Sequence, residues 1–153
     1  MSESFQSINT ILKNNLIQPE IYVHAPVLTC EEADRYTPEP EYGLKSLLLK
    51  SKKQGIFCAV LEWNARLDMN AIKTLFDDKR ISFVSNEEAP WIAWCEPWSI
   101  PPFWHIWLIP VLVSRIIKEF PSVYFNPWKN TYTYKLSQHD FERVIVSIGW
   151  KWF

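Results

Sequence analysis

Glycine is scarce in this chain of 153 residues. The sequence holds 3 glycines, where ordinary usage of about 7% would place about 11. It contains no Gly-rich phosphate loop, and the HExxH motif of zinc proteases and the Ser-centred nucleophile elbow are also absent. Tryptophan, in contrast, occurs 9 times, so that glycine and tryptophan together nearly equal the ordinary number of glycines alone.

Cysteine and histidine are few and scattered. The 3 cysteines are odd in number and widely spaced, and the 3 histidines are equally dispersed. These residues match neither a disulfide framework nor a zinc ligand set. We therefore expect no metal and no cofactor, and we interpret the cysteines as structural, because free Cys usually behaves as a small hydrophobe.

Neither sign of charge dominates. The net charge is −1 and the isoelectric point is near 6.3. A protein that coats nucleic acid needs clustered Lys and Arg to neutralise phosphates, so DNA is not an expected partner. The densest basic cluster, Lys50, Lys52 and Lys53, surrounds a predicted turn and is interpreted as solvated. A protein that grips only the end of an RNA remains compatible with this charge.

Long apolar runs are also lacking. No stretch approaches the ~20 residues that span a bilayer, and the first residues lack the basic and then apolar segments of a secretory signal. We therefore expect a cytoplasmic protein without a membrane partner. The length predicts one compact domain, 1–153, with a substantial core.

Hydrophobic periodicity and capping residues predict the elements. Helices are predicted at 7–17, from Thr29 through Arg35, after Asp68, and from Ser137 through Ile148, with a short helical turn near 116–120. Strands are predicted at 21–23, 44–50, 56–62, 81–84, 109–113, 122–126 and 131–136, the second and third forming a hairpin. Residues 37–41 and 95–104 are rich in proline and are predicted as loops. Because strands and helices intermix without a regular βαβ rhythm, we expect a single α/β domain with a mixed, mostly antiparallel central sheet flanked by helices.

Lys45 is the first candidate for chemistry. Side chains alternate along a strand, so Lys45 shares a face with Leu47 and Leu49. A lysine there is either desolvated, with a lowered pKa, or extends its ammonium group past the end of the strand into water. The residue pattern alone favours the second interpretation.

The proline-rich loop is the second candidate. A rigid loop such as 97–104 can hold backbone N–H and C=O groups in place to recognise a small polar group, although a loop stiffened for stability is the more common case. Ser99, His105 and Asp140 could form a catalytic triad on paper, but a chain of this size offers such a set by chance.

Several segments carry an ordered set of motifs. They are His24–Ala33, Gly43–Leu49, Arg66–Asp68, Arg80–Ser85, Cys95–Trp104 and Phe125–Asn130, followed by Thr133 and Leu136-Ser137. Together, over about residues 20–149, they resemble the YbaK and prolyl-tRNA synthetase editing-domain superfamily, whose free-standing members are aminoacyl-tRNA deacylases. Each motif is weak alone, but their order and spacing make the resemblance specific.

The resemblance implies hydrolysis of the ester that joins a mischarged amino acid to tRNA, a trans-editing reaction of translation quality control. Lys45 matches the family's functional lysine and would hold the terminal nucleotide or its phosphate. The remaining implied substrate-binding residues are His24, Trp98, Ser99, Ile100, Pro101, Pro102, Phe103, Asn130 and Thr133. The implied partners are the acceptor end of aminoacyl-tRNA and, as a second partner, an aminoacyl-tRNA synthetase.

Four tryptophans depart from the family pattern. Trp63, Trp98, Trp104 and Trp128 fall where the family has glycine, at turns and loops where a missing Cβ matters. Two functions therefore stay open: an active deacylase, and a catalytically inactive relative that binds a tRNA end or a synthetase. A further hypothesis is that the source genome reads the codon UGA as glycine, so that these positions are glycine in the cell.

Overall fold

The computed structural model describes residues 2–85, 87–88, 110–127, 129–148 and 150–153. The predicted loop at 95–104 lies outside these residues, as do the predicted strand's first residue at 109 and the glycine at 149.

Four α-helices are described: α1 (Ser2–Asn14), α2 (Cys30–Tyr36), α3 (Met69–Phe76) and α4 (Gln138–Ile148). Three predicted caps are confirmed. The side-chain oxygens of Thr29, Asp68 and Ser137 accept from the backbone N–H three residues later, at 3.1 Å in each case. The first helix begins before the predicted position 7.

Eight strands are described: β1 (Glu20–Val23), β2 (Leu44–Ser51), β3 (Gly55–Glu62), β4 (Ser82–Phe83), β5 (Val111–Val113), β6 (Ser122–Phe125), β7 (Tyr132–Ser137) and β8 (Trp150–Trp152). They form a three-stranded antiparallel sheet in the order β1-β7-β6 and a five-stranded mixed sheet in the order β4-β2-β3-β5-β8. A parallel bridge between Gly43, the residue before β2, and Tyr124 of β6 joins the two sheets.

Helices pack on the two faces of these sheets. The helices α1 and α4 contribute Ile8, Leu12, Phe141 and Val144 to a core over one face. The helix α3 places Ile72 on the other face, against a second core that holds Leu49, Phe57, Ala59 and Leu112. The fold is therefore the expected single α/β domain with helices on its sheets, and the strands form one antiparallel and one mixed sheet instead of a single central sheet.

Two local predictions need correction. The segment 37–41 is not loop throughout, because a 3₁₀ helix runs from Pro40 to Tyr42, with proline at its first position where the missing N–H costs nothing. The last residues were not predicted as a strand. β8 exists because it pairs in parallel with β5, and three residues alone carry too little pattern to reveal this.

Candidate functional site

The junction of the two sheets is built around Gly43. Its carbonyl accepts from the N–H of Trp63 at 3.1 Å, and its backbone bridges to Tyr124. A Cβ on Gly43 would lie 2.8 to 3.0 Å from three ring atoms of Trp63, closer than real Cβ contacts allow. The indole that lies against Gly43 therefore leaves no room for a Cβ at this position.

Lys45 lies two residues beyond this junction on β2 and is half-buried. Its Nζ donates to the carbonyl oxygen of Ala65 at 2.5 Å, across the end of β3. An ammonium group has three donors, so this bond orients the group and leaves hydrogens that an anionic or carbonyl oxygen of a ligand could accept. The geometry is thus an anchored cation beside the sheet junction, rather than a side chain that extends freely into water.

His24 follows β1 and is held by both ring nitrogens. Nδ1 lies 2.8 Å from the carbonyl oxygen of Ala25, and Nε2 lies 2.7 Å from Oγ1 of Thr133. A carbonyl only accepts, so Nδ1 carries the proton and the Thr133 hydroxyl donates to Nε2 when the ring is neutral. Because its lone pair is occupied in this way, His24 suits the positioning of a ligand better than the abstraction of a proton.

Asn126 extends this chain of hydrogen bonds. Its Nδ2 donates to the carbonyl oxygen of Tyr132 at 2.7 Å and lies 3.5 Å from Oγ1 of Thr133. Asn126 and Lys45 each follow the Gly43–Tyr124 bridge by two residues, so alternation places their side chains on the same side of the sheets. The side chains of Asn126, Thr133 and His24 thus form a polar row on this side of the sheets. Lys45 lies on the same side, next to the sheet junction.

Asn126 was not singled out from the sequence. The signal was present in the Asn126-Pro127 pair after a strand, since Asn-Pro marks a turn and Asn side chains bond nearby backbone there.

Asn130, another predicted site residue, lies in the turn between β6 and β7 and is buried. Its carbonyl accepts from the N–H of Val27 at 2.9 Å, and the next carbonyl, that of Thr131, accepts from the N–H of His24 at 2.9 Å. This turn therefore fixes the segment that carries His24.

A charged network supports the same side of the three-stranded sheet. The buried Tyr124 donates through Oη to Oε1 of Glu39 at 2.6 Å, and Nζ of Lys135 lies 3.5 Å from the same oxygen. The Tyr124 hydroxyl, together with the charge of Lys135, holds the pKa of the Glu39 carboxyl below its usual range. Burial, together with the bond to Glu39, raises the pKa of Tyr124. The network ties the segment before Gly43 to β6 and β7.

The remaining predicted site residues, Trp98 through Phe103, lie outside the described part of the chain, as do Trp104, His105 and Trp128. Asp140 pairs with Arg143 at 3.6 Å on α4. Among the described residues, no group of three or more Cys, His, Asp or Glu could hold a metal ion, and no helix is long and apolar enough to cross a membrane.

Comparison with solved structures gives the same fold. One structure, described as a candidate trans-editing enzyme for prolyl tRNA synthetase, superposes with a TM-score of 0.80 at 16% identity, covering 100% of this chain and 96% of the other. A structure from work on grafting linear epitopes onto scaffold proteins gives 0.81 at 15% identity and covers 100% and 97%. A third, described as a hypothetical protein, gives 0.80 at 16% and covers 94% and 97%. At such identities the likeness is one of fold.

Sequence comparison is more specific. None of the curated proteins compared with the chain matches it. The family model of the aminoacyl-tRNA editing domain matches residues 24–144, an interval that begins at His24 and contains Lys45, Asn126 and Thr133. The chain therefore belongs to the aminoacyl-tRNA editing domain family.

Proposed function

We propose that this protein is an aminoacyl-tRNA deacylase that hydrolyses the ester of a mischarged tRNA. The observation that carries the proposal is that the match to the aminoacyl-tRNA editing domain family covers residues 24–144 and so includes His24, Thr133 and the anchored Lys45. We expect the enzyme to work in the cytoplasm, where charged tRNA is used, with the tRNA acceptor end as its partner and a synthetase as a second one.

The reaction needs little from the protein beyond positioning. Water adds to the ester carbonyl. The bond between the acyl carbon and the ribose oxygen then breaks, the ribose oxygen takes a proton from the added water, and the free amino acid and the tRNA separate. The ester is already activated, so orientation and stabilisation of the developing oxyanion suffice without a side-chain nucleophile. The anchored ammonium of Lys45 supplies positive charge for the terminal phosphate or nucleotide.

Selection among amino acids would rest on the size of the pocket. One methylene changes binding in an apolar pocket by only about 1–3 kcal/mol, which is why a separate editing site is useful to a synthetase.

A panel of tRNAs charged with wrong amino acids tests the proposal, with release of the amino acid as the readout. We expect release of a small amino acid, and a loss of at least tenfold in Lys45→Ala, which corresponds to about 1.4 kcal/mol of transition-state stabilisation. Lys50→Ala is the matched control, because Lys50 lies on the same strand but is exposed and pairs with Glu88 at 3.9 Å.

Two results would contradict this assignment. No release above buffer from a folded protein over the whole panel would leave the catalytically inactive binding module as the function. Equal rates in the folded Lys45→Ala and Lys50→Ala proteins would show that Lys45 takes no part in the reaction.

A further inference from the structure

Tyr36 forms a flat aromatic surface beside the polar row. Its ring stacks on the His24 imidazole, with ring centroids 4.9 Å apart and planes within 8° of parallel. The other described aromatic pairs, such as Phe57–Phe76 and Phe125–Tyr134, are inclined by 58° and 69°. One side of the Tyr36 ring is backed by His24, and the residue as a whole remains 39% exposed.

The His24 ring and the helix end that carries Tyr36 are both held in place. His24 is bonded through Nδ1 to Ala25 and through Nε2 to Thr133. Tyr36 is the last residue of α2, and the next residue, the buried Thr37, donates through Oγ1 to the carbonyl of Ala33 at 2.8 Å. A ligand that stacks on this surface would therefore bind at a lower entropic cost, because the His24 ring and the end of α2 are ordered before it arrives.

Aromatic rings backed in this way bind unpaired nucleobases, because every base presents a flat π-face. Thr133, which holds His24, also lies 3.5 Å from Asn126, on the side of the sheets that carries Lys45.

We propose that Tyr36, backed by His24, is a stacking platform for an unpaired nucleobase of the tRNA 3′ end. The identity of the ligand rests on the proposed function, whereas the platform itself rests on the ring geometry. The platform would bind the RNA end and direct it towards Lys45, and it would act on every tRNA alike, because stacking tolerates any base.

Equilibrium binding of the trinucleotide CCA tests the platform without any hydrolysis. We expect Tyr36→Leu to weaken binding roughly 5- to 150-fold, the range that corresponds to loss of one stacked base. Tyr36→Phe and Tyr36→Trp should bind nearly as the original protein does, because each keeps a flat ring. The control is Phe83→Leu, which removes another exposed aromatic ring from β4 at the far edge of the second sheet.

Trinucleotides with one abasic position at a time identify the stacked base. At the position that stacks, we expect the abasic probe to bind equally weakly to the original protein and to Tyr36→Leu. Unchanged CCA binding by folded Tyr36→Leu would overturn the platform, and so would an equal loss for every abasic probe. If the protein hydrolyses no charged tRNA but binds CCA through Tyr36, the deacylase proposal fails while the platform stands. If the protein hydrolyses charged tRNA and Tyr36→Leu binds CCA as the original protein does, the platform fails while the deacylase proposal stands.

Discussion

Replacing Gly43 by alanine should destabilise the protein through a single contact. The backbone of Gly43 has φ −70° and ψ 142°, which any residue adopts, so the substitution creates no backbone strain. The new Cβ would lie 2.8, 2.9 and 3.0 Å from three ring atoms of Trp63, whereas ordinary contacts lie between 3.4 and 4 Å. Any loss of stability in Gly43→Ala therefore measures the steric conflict between the new Cβ and the Trp63 indole.

The magnitude follows from how little the indole can move. The N–H of Trp63 is bonded to the carbonyl of Gly43 itself, so the ring must leave its rotamer or the β2–β3 pair must separate at its end. Overpacking of this kind costs about 1–3 kcal/mol. For a chain of this size, such a loss lowers Tm by roughly 2–10 °C.

Thermal and urea unfolding of four proteins provide the assay: the original chain, Gly43→Ala, Trp63→Ala and the double variant. We expect the cost of Gly43→Ala to fall close to zero in the Trp63→Ala background, giving a coupling energy of about 1–3 kcal/mol. Gly55→Ala is the matched control. Gly55 has φ +77° and no atom within 4 Å of an added Cβ, so its cost, about 1 kcal/mol from the left-handed backbone, should not depend on Trp63. If Gly43→Ala is as stable as the original chain, or if its cost persists without the indole, the reasoning is refuted.

Two further predictions concern acid stability and the gene. Hydrogen bonds from the Ser51 hydroxyl and, to a smaller extent, from the Arg80 N–H hold the pKa of the buried Asp78 below its usual range. The ionised Asp78 carboxylate therefore stabilises the folded protein at neutral pH, and this stabilisation is lost as pH falls below about 4. Asp78→Asn should therefore be less stable than the original chain at pH 7, and urea unfolding should show the difference shrinking with acidification; a difference independent of pH would exclude this linkage. For the gene, we expect UGA codons at positions 63, 98, 104 and 128, read as glycine in the source genome; UGG codons there would reject that hypothesis and favour the inactive binding module.

Local signals in the sequence were sufficient for most of the elements. The helix starts at Thr29, Asp68 and Ser137 depend on one side chain and an N–H three residues away, so a short segment contains the whole cause. The hairpin of β2 and β3 depends on two apolar runs and the short turn between them, which includes Gly55. The ordered motifs from His24 to Ser137 indicated the family, because they could be compared without knowing where the residues meet.

The arrangement of the site was decided only by tertiary structure. His24 and Thr133 are 109 residues apart and meet because β1 pairs with β7, a partner that strand patterns do not specify. Lys45 is oriented by the carbonyl of Ala65, a backbone group that no side-chain pattern reveals. The stacking of Tyr36 on His24 likewise depends on how α2, which follows β1 in the chain, packs against the end of that strand. Alternation along a strand predicts which face a side chain occupies, whereas its neighbours on that face are set by the order in which the strands pair.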